Sequence, residues 1–212
     1  MMKIVIFDMD GTLINSKKDI TIAINHIRKI NHSLEPLQED YVAEVINMQE
    51  RNLPYLFYTT PTYEMRDKEL FELVYKEQCV KNLFLYDGVL ELLNDLVLAG
   101  VKISVATNAP SFFAKRMLEH LNIASMFDMI VGADMVKSSK PDPKMLKHIL
   151  DFYGYDSKKD SAFMVGDSEK DIQSAKNISI MPIFVKWGFS KSVLDCVEVD
   201  TPKRILDIVL EK

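Results

Sequence analysis

The chain has 212 residues, 48% hydrophobic and 27% charged, which suits one main globular domain with an inserted subdomain. Its net charge of −5 is spread over interspersed acids and bases, with no basic block that would point to nucleic acid or an anionic membrane as partner. No apolar run is long enough to span a membrane, Met-Met-Lys leads directly into a strand-sized run, and Cys79 and Cys196 are far apart, so the expectation is a cytoplasmic protein with reduced thiols.

Ile4-Val5-Ile6-Phe7 reads as a short buried strand, and it ends in Asp8 and Asp10 with Gly11 between them and the next element. Two carboxylates so close repel, which raises a pKa or recruits a cation. Apolar residues then recur at helical spacing: Ile20, Ala23, Ile24, Ile27 and Ile30; next Val42, Val45, Ile46 and Leu53, ending at Pro54; next a stretch from near Thr62 to about Lys81. Residues 16–86 therefore read as a helical insertion without a strand.

From Gly88 onward strands and helices alternate. Helix 89–98 is closed by Gly100; strand 101–106 leads to a helix opened by Pro110 and ending at Leu121; strand 129–131 follows. Pro143 opens a helix to about Tyr153, strand 162–165 leads to helix 168–177, strand 182–185 follows, and Pro202 starts the terminal helix. The fold class is thus α/β, a mostly parallel sheet with helices on both faces plus a small helical insertion.

In such a sheet the carboxyl ends of the strands share one edge, where ligands bind. Asp8 and Asp10, Thr107 and Asn108, and Asp167 with Asp171 one helical turn later all fall at or just beyond those ends, and Lys140 immediately precedes the helix that Pro143 opens. Singly, each has a plain structural explanation as a turn residue, a cap or a first-turn acid. Together they form a set. Clustered aspartates need a divalent cation, and hard oxygen ligands select magnesium. Thr107 and the backbone N–H of Asn108 are donors suited to phosphoryl oxygens, and Lys140 supplies a positive charge. This is the equipment of phosphoryl transfer. The histidines, His26, His32, His120 and His148, form no i,i+4 pair that would suggest zinc.

Asp8-Met9-Asp10-Gly11-Thr12-Leu13, Thr107-Asn108, Lys140-Pro141 and Gly166-Asp167-Ser168-Glu169-Lys170-Asp171 resemble, in order, the four motifs of the haloacid dehalogenase-like hydrolase superfamily. The run from Gly11 to Ile20, and Trp187-Gly188-Phe189, resemble its phosphoglycolate phosphatase-type subgroup, from which Ser179 departs where a glycine is usual. The resemblance implies a Rossmann-like core of residues 1–15 and 87–212 and a helical cap of 16–86. It implies Asp8 as nucleophile, Asp10 as general acid and base, and Thr107, Asn108 and Lys140 at the phosphoryl group. Mg2+ would be held by Asp8, Asp167 and the carbonyl of Asp10, with Asp171 in support. The implied reaction is hydrolysis of a small phosphorylated metabolite, phosphoglycolate being the subgroup's example. Asp10 argues against dehalogenation, because a halide leaves without a proton. The alternatives are a phosphomutase of the beta-phosphoglucomutase type, and a phosphate-binding or receiver-type signalling protein. In receivers, however, the acidic pair comes first and the lysine last. Lys17, Lys18, Arg51 and Arg66 are candidate anion contacts in the insertion.

Overall fold

The computed structural model describes residues 1–48, 51–191 and 195–211. Its strands in chain order are β1 (Lys3–Phe7), β2 (Ile14–Asn15), β3 (Phe84–Leu85), β4 (Lys102–Ala106) and β5 (Met129–Val131). β6 (Ser161–Gly166), β7 (Met181–Val185) and β8 (Val197–Val199) follow. The helices are α1 (Lys17–His32), α2 (Glu39–Asn47), α3 (Leu53–Tyr58), α4 (Met65–Gln78) and α5 (Val89–Leu98). α6 (Ser111–His120), α7 (Lys144–Tyr153), α8 (Glu169–Lys176) and α9 (Pro202–Glu211) complete the set.

β1 is the centre of a six-stranded parallel sheet ordered β5-β4-β1-β6-β7-β8. Its side chains alternate between two cores. Val5 and Phe7 pack with apolar residues of α5, α6 and α9, whereas Ile4 and Ile6 pack with those of α7 and α8. Burying each such side chain stabilises the fold by about 1.5–3 kcal/mol, so an all-apolar strand holds a central position only when both faces are covered.

α1 to α4 surround a separate apolar cluster that includes Ile24, Ile27, Val42, Val45, Phe57 and Tyr58. The chain leaves and rejoins the core through β2 and β3, which pair antiparallel with Ile14 opposite Leu85 and Asn15 opposite Phe84. This corrects the expectation of a strand-free insertion; two-residue strands are too short to register as a period. Asp19 reinforces the junction, accepting hydrogen bonds from Gln78 Nε2 (2.7 Å), the Asn82 N–H (2.9 Å) and Asn82 Nδ2 (2.6 Å).

Pro54 opens a helix instead of ending one. Asn52 caps α3 by accepting from the Tyr55 N–H at 3.2 Å, and proline fits the first turn, where its missing donor costs nothing. The sixth strand, β8, was likewise not expected. Gly100, at φ 74°, ends α5 as anticipated, with its N–H donating to Val97 O. Ser179 takes the left-handed φ of 56° that a glycine would adopt more cheaply. Among the described residues no helix is long and apolar enough to cross a membrane.

Candidate active site

The carboxyl ends of β1, β4 and β6 lie side by side, and the polar residues that follow them converge. Asp8 still belongs to the ladder, its N–H donating to Val165 O at 2.8 Å. The chain then turns at Gly11 (φ 85°), where a Cβ would lie 2.2 Å from Asp167 Oδ2; only glycine allows this turn to close over the aspartate. Asp10 accepts a hydrogen bond at Oδ1 from the Ser16 hydroxyl at the base of α1.

Lys140 ties three strand ends together. Its ammonium donates to Asp8 Oδ1, Asp171 Oδ1 and Ala106 O, each at 2.6 Å. Asn108 fixes the lysine's backbone from both sides: its Nδ2 donates to Lys140 O (2.9 Å), and its Oδ1 accepts from the Lys140 N–H (3.0 Å). The Asn108 side chain is thus a positioning group, and what it presents to a ligand is backbone. The Thr107 hydroxyl oxygen accepts from the Ala109 N–H at 3.1 Å, shaping the same loop.

Asp171 is divided between two duties. Oδ2 accepts from Ser168 N–H (3.1 Å) and Ser168 Oγ (2.5 Å) in a capping box that starts α8, and Oδ1 meets Lys140. Asp167 Oδ2 accepts from the Phe189 N–H (2.7 Å) and from Asn47 Nδ2 (2.9 Å), the latter at the end of α2. Trp187 braces the same turn by donating from Nε1 to Thr12 O at 3.0 Å.

The electrostatics are unbalanced. Carboxylate oxygens of Asp8, Asp167 and Asp171 lie within 4.8 Å of one another, all buried, with the Lys140 ammonium bonded to Asp8 and Asp171. Burial raises the Asp8 pKa well above the usual carboxylate range, and repulsion from Asp171 and Asp167 adds to this against the pull of Lys140. Asp167 is pushed up to about 7, first by burial and then by Asp171. Burial also raises Asp10, against its hydrogen bond from Ser16. Burial works against the Lys140 ammonium, but the charges of Asp171 and Asp8 outweigh it and hold the lysine protonated. A hard divalent cation would relieve this excess of negative charge, and the carboxylate oxygens of Asp8, Asp167 and Asp171 are the hard ligands that would hold it.

Beside this cluster a cavity of about 380 Å³ opens between the sheet edge and the underside of the insertion. Asp8, Asp10, Thr107, Asn108, Lys140 and Asp171 line it, with Asp167 immediately behind. All seven residues singled out from the sequence are therefore together. Of the four candidate anion contacts only Arg51 lines the cavity; Lys17 pairs with Asp40 (2.8 Å), Arg66 with Glu64 (2.7 Å), and Lys18 is exposed. Ser16, Asn47 and Lys170, whose Nζ donates to Ile46 O at 2.7 Å, reach the site without having been anticipated. Lys170 lies inside the last motif and Ser16 inside the run from Gly11 to Ile20, whereas Asn47 carried no such signal.

Residues 5–185 match the model of the family described as haloacid dehalogenase-like hydrolase. The chain belongs to that family. It is 30% identical to the N-acetylmuramic acid 6-phosphate phosphatase of Pseudomonas aeruginosa, over 98% of this chain and 95% of that one. It is 31% identical to the phosphoglycolate phosphatase of Rhodospirillum rubrum, over 90% and 82%. The fold is shared with the crystal structure of a predicted phosphoglycolate phosphatase from Haemophilus somnus, with a TM-score of 0.85 at 24% identity over 98% and 97% of the two chains.

Proposed function

We propose that the protein is a magnesium-dependent phosphatase that hydrolyses a small phosphomonoester through an aspartyl-phosphate on Asp8. The observation that carries this reading is the convergence of Asp8, Lys140, Asp167 and Asp171 at one side of the cavity. The core, 1–15 and 87–212, holds the chemistry, and residues 16–86 act as a cap over it.

Asp8 and Asp167, with the carbonyl of Asp10, would hold the magnesium ion, and Asp171 would support it. When bound, the ion offsets the charge of the carboxylates and of the transferring phosphoryl group. Lys140 engages Asp8 Oδ1, which leaves Oδ2 to attack phosphorus. As that P–O bond forms, the bond to the leaving alcohol breaks, and Asp10 delivers a proton to the departing oxygen. Its raised pKa suits it to carry one. In the second half, a water attacks phosphorus, Asp10 takes a proton from it, and the Asp8–phosphorus bond breaks to release phosphate. The Thr107 hydroxyl, the Asn108 N–H and Lys140 hold the phosphoryl oxygens throughout.

A panel of phosphomonoesters assayed for phosphate release with magnesium and with chelator tests the reading. Magnesium-dependent release is expected, with phosphoglycolate among the compounds assayed. Conversion of a sugar phosphate into its isomer without free phosphate would assign a mutase instead.

A further inference from the structure

At about 380 Å³ the cavity falls in the size range of pockets that enclose drug-sized ligands, beyond what a phosphate and two carbons would fill. Its two sides differ in chemistry. The acid–lysine cluster occupies one. The other, contributed by the insertion, is apolar and aromatic, with Ile24, Leu53, Phe57 and Phe71 joined there by Phe113 of α6.

Most polar groups that the insertion brings to this cavity are engaged, sealed or wet. Asn47 is committed to Asp167 and Ser190. Arg51 is tied by Nη1 to the carbonyls of Ile46 and Met48, and the Tyr75 hydroxyl donates to Met117 Sδ at 3.8 Å. The Asp67 side chain has no accessible surface at all. Tyr63, Lys68 and Glu72 are exposed, so water serves them. Tyr58 differs. It lines the cavity with only 3% of its surface accessible, and its hydroxyl has no hydrogen-bond partner among the described residues. Unlike Asp67 Oδ2, that oxygen is not shut away from contact. Burial raises the Tyr58 pKa above the ordinary tyrosine value, so the phenol keeps its proton. The ring is held in place by His32, stacked on it with centroids 5.2 Å apart, and by an edge-on contact with Tyr63 at 6.1 Å. A fixed, protonated hydroxyl in an apolar pocket is a donor for one acceptor on whatever binds there, and burying it unmet is costly.

We infer that the cavity selects a phosphomonoester whose leaving alcohol carries an apolar ring and, remote from the phosphate, a hydrogen-bond acceptor, the ring lying against Phe57, Phe71 and Phe113 and the Tyr58 hydroxyl donating to the acceptor. This rests on the phosphatase reading for the phosphate end, while the leaving-group end stands on the cavity itself.

The test compares para-acetylbenzyl phosphate, its near-isostere para-isopropenylbenzyl phosphate, and phosphoglycolate, with magnesium present. The two benzyl esters differ only in a C=O against a C=CH2. The isopropenyl ester is expected to exceed phosphoglycolate in kcat/KM by about tenfold or more, from burial of the ring. The acetyl ester is expected to exceed the isopropenyl ester by about three- to tenfold, the scale of one net hydrogen bond. Without that bond, burying the ketone would reverse the order. Tyr58→Phe removes only the hydroxyl and should bring the ratio between the benzyl esters to one or below, whereas Tyr63→Phe should preserve it. A wild-type enzyme that prefers phosphoglycolate, or that treats the two benzyl esters alike, overturns the inference without requiring a variant to fold. A Tyr58→Phe enzyme that keeps the wild-type ratio overturns it too. Calorimetric binding of the matching phosphonates, with CH2 in place of the ester oxygen, reads the same preferences without turnover. If those preferences hold and no ester releases phosphate, the phosphatase reading fails and the inference stands.

Discussion

The sheet edge and the underside of the insertion face each other across one cavity, but they are built on opposite principles. At the edge, charges are crowded to 2.6 Å and held by backbone: Lys140 by Asn108, Asp167 by the Phe189 N–H, Asp171 by its capping box. Across the gap the wall is mostly side-chain surface on the helices of the insertion and the loop between α3 and α4, largely apolar and aromatic. The first arrangement fixes atoms, as bond-making requires; the second offers a shape that substitution can alter without touching the chemistry. Changes at the edge should therefore abolish reaction, and changes on the insertion should redistribute it among substrates.

The largest effect expected is that of Asp8→Asn. Loss of the nucleophile should lower kcat on the order of 10⁴-fold or more. The fold should persist, because Lys140 keeps Asp171 and Ala106 O as partners and one repelling carboxylate is gone. Phosphate-release assays alongside circular dichroism check both halves, and an active Asp8→Asn enzyme would refute the nucleophile assignment. Lys140→Met should come next, costing activity and also about 3–5 kcal/mol of stability in chelator, since Asp8 and Asp171 then lose their buried counter-charge. Thermal melts with and without magnesium should show the ion recovering part of that loss.

Magnesium itself gives the third measure. The wild-type melting temperature should rise on adding the ion, by about 2.7 kcal/mol of stabilisation at a hundredfold excess over its Kd. Asp167→Asn should remove most of that rise. An equal rise in the variant would mean that the ion binds elsewhere on the molecule.

The sequence and the structure diverge in the same way as the two regions do. The parallel sheet and the convergence of Asp8, Thr107, Lys140 and Asp167 were legible because apolar runs mark strands and strand ends share an edge. β8 was not legible: Val197 and Glu198 are exposed and only Val199 is buried, so the edge strand has no apolar run to mark it. At α3 the signal was present but outweighed: Pro54 reads as a helix stop, whereas it is a first-turn proline behind the cap Asn52. Ser16 and Asn47 reach the acids through tertiary packing from 6 and 120 positions away, and neither residue type announces such a contact. Asn108 shows the converse, a residue rightly placed whose side chain serves Lys140 and so acts at one remove.

Asn47 sits on the border between the two regions and sets the finest test of their division. Its amide links the end of α2 to Asp167 Oδ2 and to Ser190 Oγ, both at 2.9 Å, and Lys170 joins the neighbouring Ile46 carbonyl to the start of α8. If these contacts hold the insertion against the core, Asn47→Ala should weaken closure by about the 0.5–1.5 kcal/mol of a net hydrogen bond. That is a rise in KM of less than about tenfold, with kcat changed less. Asp167 keeps its bond from the Phe189 N–H, so its orientation should survive the loss. Steady-state kinetics with one substrate across the wild type and the variant separate the two parameters. A collapse of kcat comparable to that of Asp8→Asn would place Asn47 with the reacting groups and erase the boundary drawn between chemistry and selection.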